Sequence, residues 1–159
     1  MTEDGFPTPD EILAQEARLR LPAWSGEDAM ALGQWILAAA EAREQAIVVE
    51  VWLGSRLVFR AAREGTNATN DQYVGGKRHV VERFGHASFY QRQRHLAAGT
   101  TFEAATGLTF PEYAPHGGGF PLLVEGQGEP AGVVIVSGLP QQDDHALIVE
   151  ALEEQLAGG

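Results

Sequence analysis

The sequence predicts an α+β fold in which an antiparallel sheet packs against helices. Two stretches, residues 47–61 and 118–138, each show apolar runs separated by a turn, which is typical of a β-hairpin. Helical stretches with capping residues lie before, between and after them. Because each strand pair closes locally, antiparallel pairing is favoured. A length of 159 residues with 44% hydrophobic residues fits a single domain over residues 1–159, of which residues 1–7 are expected to be flexible.

The N-terminal third is predicted to contain two helices. Thr8 is a capping residue, Pro9 suits the first helical position and Glu11 closes a capping box, so a short helix is expected to about Arg18. Ser25 begins the second helix, and two acids follow it in the first turn, where the helix dipole favours negative charge.

The strands and the remaining helices follow in order. Residues 47–53 (IVVEVWL) and 56–61 (RLVFRA) are predicted strands joined by Gly54-Ser55, a pair that suits a type II′ turn. Residues 70–106 are expected to be helical. The second hairpin spans 118–138 with GQGE at its turn, and a final helix is expected from Pro140 to about Leu156.

Composition excludes several classes of protein. A formal net charge of −11 argues against a nucleic-acid binder, which needs a broad basic surface. The chain has no apolar run of about 18 residues, so no membrane span is expected. The N-terminus MTEDGFPTPDE does not resemble a secretory signal, and cysteine is absent, which fits a reducing compartment. We therefore expect a cytoplasmic protein.

Charge is distributed unevenly along this acidic chain. Residues 56–95 contain eight Lys or Arg and three acids, a net charge of +5, whereas residues 96–159 contain nine acids and no Lys or Arg, a net charge of −9. A local positive field would attract a small anion. Alternatively, the two segments pair between neighbouring copies in a homo-oligomer. The sequence leaves both interpretations open.

The basic segment, residues 77–95, places a lysine where an apolar residue is expected. In a helix over residues 73–84, Lys77 falls in the middle of the apolar face. Its ammonium group either extends past the core to water or lines a pocket and binds an anionic ligand. Arg83 lies in the last turn before Gly85, which resembles a helix-ending glycine, so a cation is favoured there without any ligand.

Two of the five histidines are candidate ligands. His86 stands just beyond the predicted end of this helix, and His116 precedes three glycines at the start of the second hairpin. At such glycines, Gly118 among them, the backbone can approach a ligand closely. His145, near the start of the last helix, is expected at the surface.

Three segments resemble a known family. Residues 70–88 (NDQYVGGKRHVVERFGHAS) are similar to the central helix of the GlcG/HbpS-like, or haem-degrading domain, family. HGGGFP at 116–121, GVVIVSG at 132–138 and the acid Asp144 are similar to its other motifs. RFGHAS at 83–88 and YAPHGGGFP at 113–121 more closely resemble one branch of it. The resemblance covers roughly residues 8–157.

The resemblance implies a profilin-like fold, with a five-stranded antiparallel sheet, helices on both of its faces and frequent homo-oligomers. Some members bind haem or a corrinoid. Haem, or a related anionic tetrapyrrole, is therefore the expected ligand, with haem handling or degradation as the implied role and His86 or His116 at the iron. The expected ligand-binding residues are Lys77, Arg83, His86, Ser88, His116 and Gly118.

The alternative is a homo-oligomeric interaction or scaffold protein with no role for haem. No activated nucleophile and no acid–base pair is evident in the sequence, so whether the protein is an enzyme stays open at this point.

Overall fold

The computed structural model describes residues 1–158, in which one antiparallel sheet has four strands in the order β2-β1-β4-β3. The strands are β1 (Val48–Leu53), β2 (Arg56–Ala62), β3 (Gly119–Leu122) and β4 (Gly132–Ser137). The helices are α1 (Pro9–Arg18), α2 (Gly26–Ala42), α3 (Ala68–Phe84), α4 (Ser88–Ala97), α5 (Phe102–Thr106) and α6 (Gln141–Gly158).

Both predicted hairpins are confirmed. Gly54 has φ +56°, the left-handed region that glycine adopts without strain, and Gly54-Ser55 joins β1 to β2. The β3–β4 hairpin has a longer connection that contains the GQGE sequence. Antiparallel pairing of β1 with β4, for example Val51 with Val134, joins the two hairpins into one sheet. The antiparallel α+β class is therefore confirmed.

The expected fifth strand is not part of the sheet in the described residues. The extended segment after α1 makes a single isolated parallel bridge, between Leu21 and Val124. Leu21 donates its N–H to the Leu123 carbonyl and accepts from the Glu125 N–H. Pro22 follows at once, and because proline lacks an N–H it cannot extend the pairing. The prediction of five strands was wrong for this reason.

The helix ends follow the capping rules. Thr8 forms the predicted capping box, α1 ends at Arg18, and Ser25 begins α2 as predicted, where it also forms a capping box with Asp28. The helical region after the first hairpin is divided into α3, α4 and α5. Helix α3 begins at Ala68 with Asn67 as its cap, and it ends at Gly85, whose φ of 74° is left-handed. This sharp end separates the side chains of α3 from those of α4.

Helices cover both faces of the sheet. Apolar residues of α2 and α6 pack with Val49, Val51 and Val134 on one face, while Val74 and Val81 of α3 pack against Ile135 on the other. Successive β-strand residues point to opposite faces, so the middle of β4 is buried on both. Helix α3 therefore lies directly against the centre of the sheet.

His145 is buried, so its predicted surface position was wrong. Its ring packs between Phe89 and Phe120 in the core, and its Nε2 lies 2.7 Å from Gln15 Oε1. Burial lowers the pKa of His145 to about 4, which keeps the imidazole neutral at pH 7. The mixed polar and apolar spacing of α6 concealed this orientation.

Among the described residues, no helix is both long and apolar enough to cross a lipid bilayer.

Candidate functional site

Lys77 lies on the sheet-facing side of α3, and its side chain is 3% exposed. Its Nζ donates hydrogen bonds to the Val136 carbonyl at 2.9 Å and to Asp144 Oδ2 at 3.2 Å. The interpretation that its ammonium extends to water was therefore wrong. Lysine is rarely buried without a partner, and Asp144 is that partner.

Asp144 is held in the first turn of α6. Its Oδ1 accepts the Leu139 N–H at 3.0 Å, so the carboxylate also orders the loop between β4 and α6. Burial raises the pKa of Asp144 to about 6, although Lys77 and backbone N–H groups act in the opposite direction. Burial likewise lowers the pKa of Lys77, which the charge of Asp144 partly opposes. The buried position thus brings both groups closer to their neutral forms.

A cavity of about 440 Å³ lies beside this pair, and we call it the Lys77 cavity. Its walls come from α3, from the loop before β3 and from the β4–α6 loop. They include Asn70, Tyr73, Lys77, His116, residues 137–142 and Asp144. Burial, followed by the positive charges of Lys77 and Arg92, lowers the pKa of His116, so its imidazole is neutral at pH 7.

Gly118 allows the backbone to pass close to Lys77. It has φ +122°, and a Cβ at this position would come within 2.3 Å of the Val136 carbonyl oxygen and 2.7 Å of Lys77 Nζ. Glycine is needed here both for its conformation and for the lack of a side chain. The three glycines predicted that the backbone would approach a ligand closely. At Gly118 the backbone instead passes close to Lys77.

Ser88 fixes the position of the loop that carries His116. Its hydroxyl group is buried, donates to the His116 carbonyl at 2.5 Å and accepts the Gly119 N–H at 2.9 Å. The side chain thereby joins the start of α4 to the start of β3.

A larger cavity of about 670 Å³ lies at the C-terminal end of α3, and we call it the His86 cavity. Its walls come from α1 and the segment after it, the end of α3 and the tips of both hairpins. They include Glu16, Arg20, Gly54, Ser55, residues 81–86, Leu123, residues 128–130, Gly132 and Val133.

A buried acid orients His86 in this cavity. Glu16 Oε1 lies 2.7 Å from His86 Nδ1, and Glu16 Oε2 accepts the Ala87 N–H at 2.9 Å. Because a carboxylate only accepts hydrogen bonds, Nδ1 carries a proton here, and in the neutral imidazole this tautomer leaves Nε2 as the acceptor. No hydrogen-bond partner of Nε2 is present among the described residues.

The predicted site residues therefore fall into two groups. Lys77 and His116 line one cavity, with Gly118 and Ser88 supporting it, whereas Arg83 and His86 line the other. The other cations of the basic segment do not share a site either. Arg78, for example, pairs with Glu82 at 2.7 Å and stacks on Trp52. A single ligand does not meet all six residues in this arrangement.

Sequence reasoning missed Glu16 and Arg20, and it did not pair Lys77 with Asp144. A signal existed for Glu16, because it lies four residues after the apolar Ile12 and shares its helix face. Since Ile12 is fully buried, an acid on the same face is buried too. Nothing comparable marked Arg20, whose guanidinium donates to the carbonyls of Val124 and Gln127. Among the described residues, no group of three or more His, Cys, Asp or Glu side chains could hold a metal ion.

Comparison with known proteins identifies the family of this chain. Residues 25–153 match the family model described as haem degrading protein HbpS-like. The chain belongs to the HbpS-like family. A UPF0303 protein of Streptomyces avermitilis is 46% identical over 148 residues, which cover 93% of this chain and 90% of that protein.

Solved structures share the fold of this chain. The crystal structure of the Ybr137w protein has a TM-score of 0.87 at 27% identity, covering 95% of this chain and 89% of that one. The structure named "PduOC:Heme Complex" has a TM-score of 0.68 at 15% identity, covering 82% of this chain and 94% of that one. The latter likeness supports the fold alone.

Proposed function

We propose that the protein binds haem, or a related anionic tetrapyrrole, in the His86 cavity. The observation that carries the proposal is the Glu16–His86 pair, in which a buried carboxylate fixes Nδ1 and leaves Nε2 free at the cavity wall. Histidines that bind metals commonly hold their second ring nitrogen in this way. The family description and the haem complex of a protein with the same fold agree with this choice of ligand.

The other residues of the cavity fit such a ligand. A volume of about 670 Å³ is within the range of small-molecule sites, roughly 300–1,000 Å³. Val81, Phe84 and Val133 supply apolar surface, and Arg83, which has no ion-pair partner among the described residues, supplies a positive charge. Bound haem would supply an iron centre whose reactivity depends on its axial ligand and on the polarity around it. Degradation of haem would be a further activity, beyond the binding proposed here.

His116 is the weaker candidate for the iron. No carboxylate hydrogen bonds to its ring among the described residues, and the charge of nearby Lys77 disfavours a second positive centre. Lys77 itself already binds Asp144, so it is not free to pair with a haem carboxylate. These differences favour His86 and Arg83 over His116 and Lys77 as haem-binding residues.

Hemin titration tests the proposal. We expect a one-to-one Soret shift in the wild type that is lost or changed in His86→Ala, with His116→Ala as the matched control that keeps the wild-type spectrum. If His86→Ala gives the wild-type spectrum and affinity, haem does not bind through His86.

A second candidate function is that of a homo-oligomeric interaction protein. Lys77–Asp144 is the one ion pair that joins the basic residues 56–95 to the acidic residues 96–159 within the described chain. Exposed charges that have no ion pair among the described residues, such as Arg94 in the first segment and Glu129 in the second, are available to neighbouring copies. Strand β2 is also an edge strand, and its Leu57 is exposed.

Sedimentation velocity at micromolar concentration tests this second candidate. We expect an oligomer that weakens as salt is raised, because exposed charges are screened. A monomer at physiological salt would contradict it.

A further inference from the structure

Lys77 is the only lysine in the chain, since the other ten of the eleven Lys and Arg residues are arginines. The two residues differ chemically, because arginine stays charged in proteins whereas a buried lysine can lose its proton and act as a nucleophile. The ten arginines are thus unsuited to act as nucleophiles. The single lysine lies at the wall of a cavity and is almost completely buried.

The groups around Nζ suit amine chemistry. Asp144 Oδ2, at 3.2 Å, can accept a proton from the ammonium group, and the Val136 carbonyl at 2.9 Å fixes its position. The Tyr73 ring centroid lies 5.9 Å from Nζ, and its phenol and the neutral His116 line the same cavity. A nucleophile next to a proton acceptor is the arrangement found in covalent catalysis.

We propose that Lys77 is a nucleophilic amine that forms an imine with small aldehydes or ketones in the Lys77 cavity. The Lys77 ammonium first gives a proton to the Asp144 carboxylate. The Nζ lone pair then forms a bond to the carbonyl carbon, and proton transfer from nitrogen to the oxygen gives a neutral carbinolamine. Asp144 returns its proton to the hydroxyl group, which leaves as water while a C=N bond forms. The product is a protonated imine beside an Asp144 carboxylate.

The cavity suits a carbonyl compound better than an anion. Asp144 already balances the charge of Lys77, and its carboxylate would repel an anionic ligand at the same place. The lower pKa that burial gives Lys77 also raises the fraction of free amine available for attack. A cavity of about 440 Å³ limits the ligand to a small molecule.

Reductive alkylation tests the proposal with few competing sites. The probe is acetaldehyde with sodium cyanoborohydride at pH 7, followed by peptide mapping by mass spectrometry. Apart from Lys77, the primary amine of this chain is the α-amino group of Met1, which pairs with Glu11 and serves as an internal control in the same molecule.

We expect Lys77 to be alkylated about tenfold faster in the folded protein than in the chain unfolded by guanidinium chloride, where its pKa is that of an ordinary lysine and above pH 7. The N-terminal amine, which pairs with Glu11 only in the folded protein, should react no faster there than in the unfolded chain. If the folded protein reacts only at its N-terminus, burial protects Lys77 and the proposal is wrong. This comparison needs no variant, so a failure to fold cannot confuse it.

Asp144→Asn tests the proton acceptor. General acid–base groups contribute roughly 10²- to 10⁴-fold, so we expect alkylation of Lys77 to slow by on the order of 100-fold while the N-terminal rate stays unchanged. An unchanged rate at Lys77 in a folded variant would overturn the role of Asp144. The inference does not rest on haem binding, because the two cavities have no lining residue in common.

Discussion

The two cavities differ in what holds their key side chain. In the His86 cavity, a buried acid orients a half-exposed imidazole, whose free nitrogen is available to a large ligand. In the Lys77 cavity, the acid and the base are both buried and satisfy each other, so a ligand gains access only by competing with that pair. The first arrangement is typical of a binding site, whereas a buried ion pair such as the second is costly to desolvate and contributes little net stability.

The largest expected effect concerns the buried pair. Lys77→Met leaves the Asp144 carboxylate buried without its cation, and we expect this to lower the free energy of unfolding by about 3–5 kcal/mol. The double variant Lys77→Met/Asp144→Leu should recover most of that loss, because no uncompensated charge remains. Urea unfolding measures both. A single variant as stable as the wild type would mean that the pair contributes little.

A pH effect should arise outside both cavities, at His145. Its pKa is about 4 when folded and about 6.5 when unfolded, so the unfolded state binds more protons between these values. The stabilisation is therefore complete above pH 6.5 and is lost as the pH falls toward 4, by about 3 kcal/mol in total. The raised pKa of Asp144 changes stability in the opposite direction over the same range, so the fall should be measured as the difference in unfolding free energy between the wild type and a His145 variant from pH 7 to 4.

The matched variant for this effect is His145→Gln, which keeps a hydrogen-bonding group near Gln15. The difference in stability between wild type and variant should shrink or reverse across that range. A constant difference would show that His145 does not titrate in the core. The result separates acid unfolding from loss of binding in either cavity.

A smaller effect is expected at Glu16. Glu16→Gln keeps the shape of the side chain but removes the charge that holds the Nδ1–H of His86. Changes to such supporting groups commonly cost about 10- to 100-fold in metal affinity, so hemin affinity should fall by that factor. Equilibrium titration measures it, and alkylation of Lys77 should not change. Equal losses at both cavities would instead indicate a general structural defect.

The smallest expected effect is at Arg83. Its side chain is exposed at the rim, where the guanidinium makes a long 3.4 Å hydrogen bond to the Tyr113 hydroxyl and lies 5.7 Å from the centroid of that ring. Arg83→Gln should weaken hemin binding by about two- to fivefold at low salt, in line with exposed charge pairs, and by less at high salt. An effect that does not depend on salt would argue against an ionic contact with the ligand.

Much of the fold could be predicted from local signals. Capping residues such as Thr8 and Ser25, and the Gly54-Ser55 turn, act within a few residues and were interpreted correctly. The predicted number of strands was wrong because it came from the family resemblance. In this chain, Pro22 limits the pairing of the segment after α1 to the single bridge at Leu21.

The candidate site was harder to predict because it depends on contacts that are distant in the sequence. The helical projection placed Lys77 correctly on the apolar face, but its partner Asp144 is 67 residues away. Glu16 and His86, likewise, are 70 residues apart. Sequence proximity placed His86 beside Lys77, whereas the turn at Gly85 directs the two side chains to different cavities. Periodicity reports which face a residue occupies and not what lies opposite it.

The short segment from His86 to Ser88 touches both cavities. His86 lines one of them, and two residues later Ser88 holds the loop that carries His116 into the other. Each end of this segment has its own anchor, since Glu16 contacts His86 and the Ala87 N–H while the Ser88 hydroxyl binds the loop before β3. The segment therefore forms a fixed wall between the two cavities. A ligand on one side leaves the contacts on the other side in place, so the two sites can be filled independently.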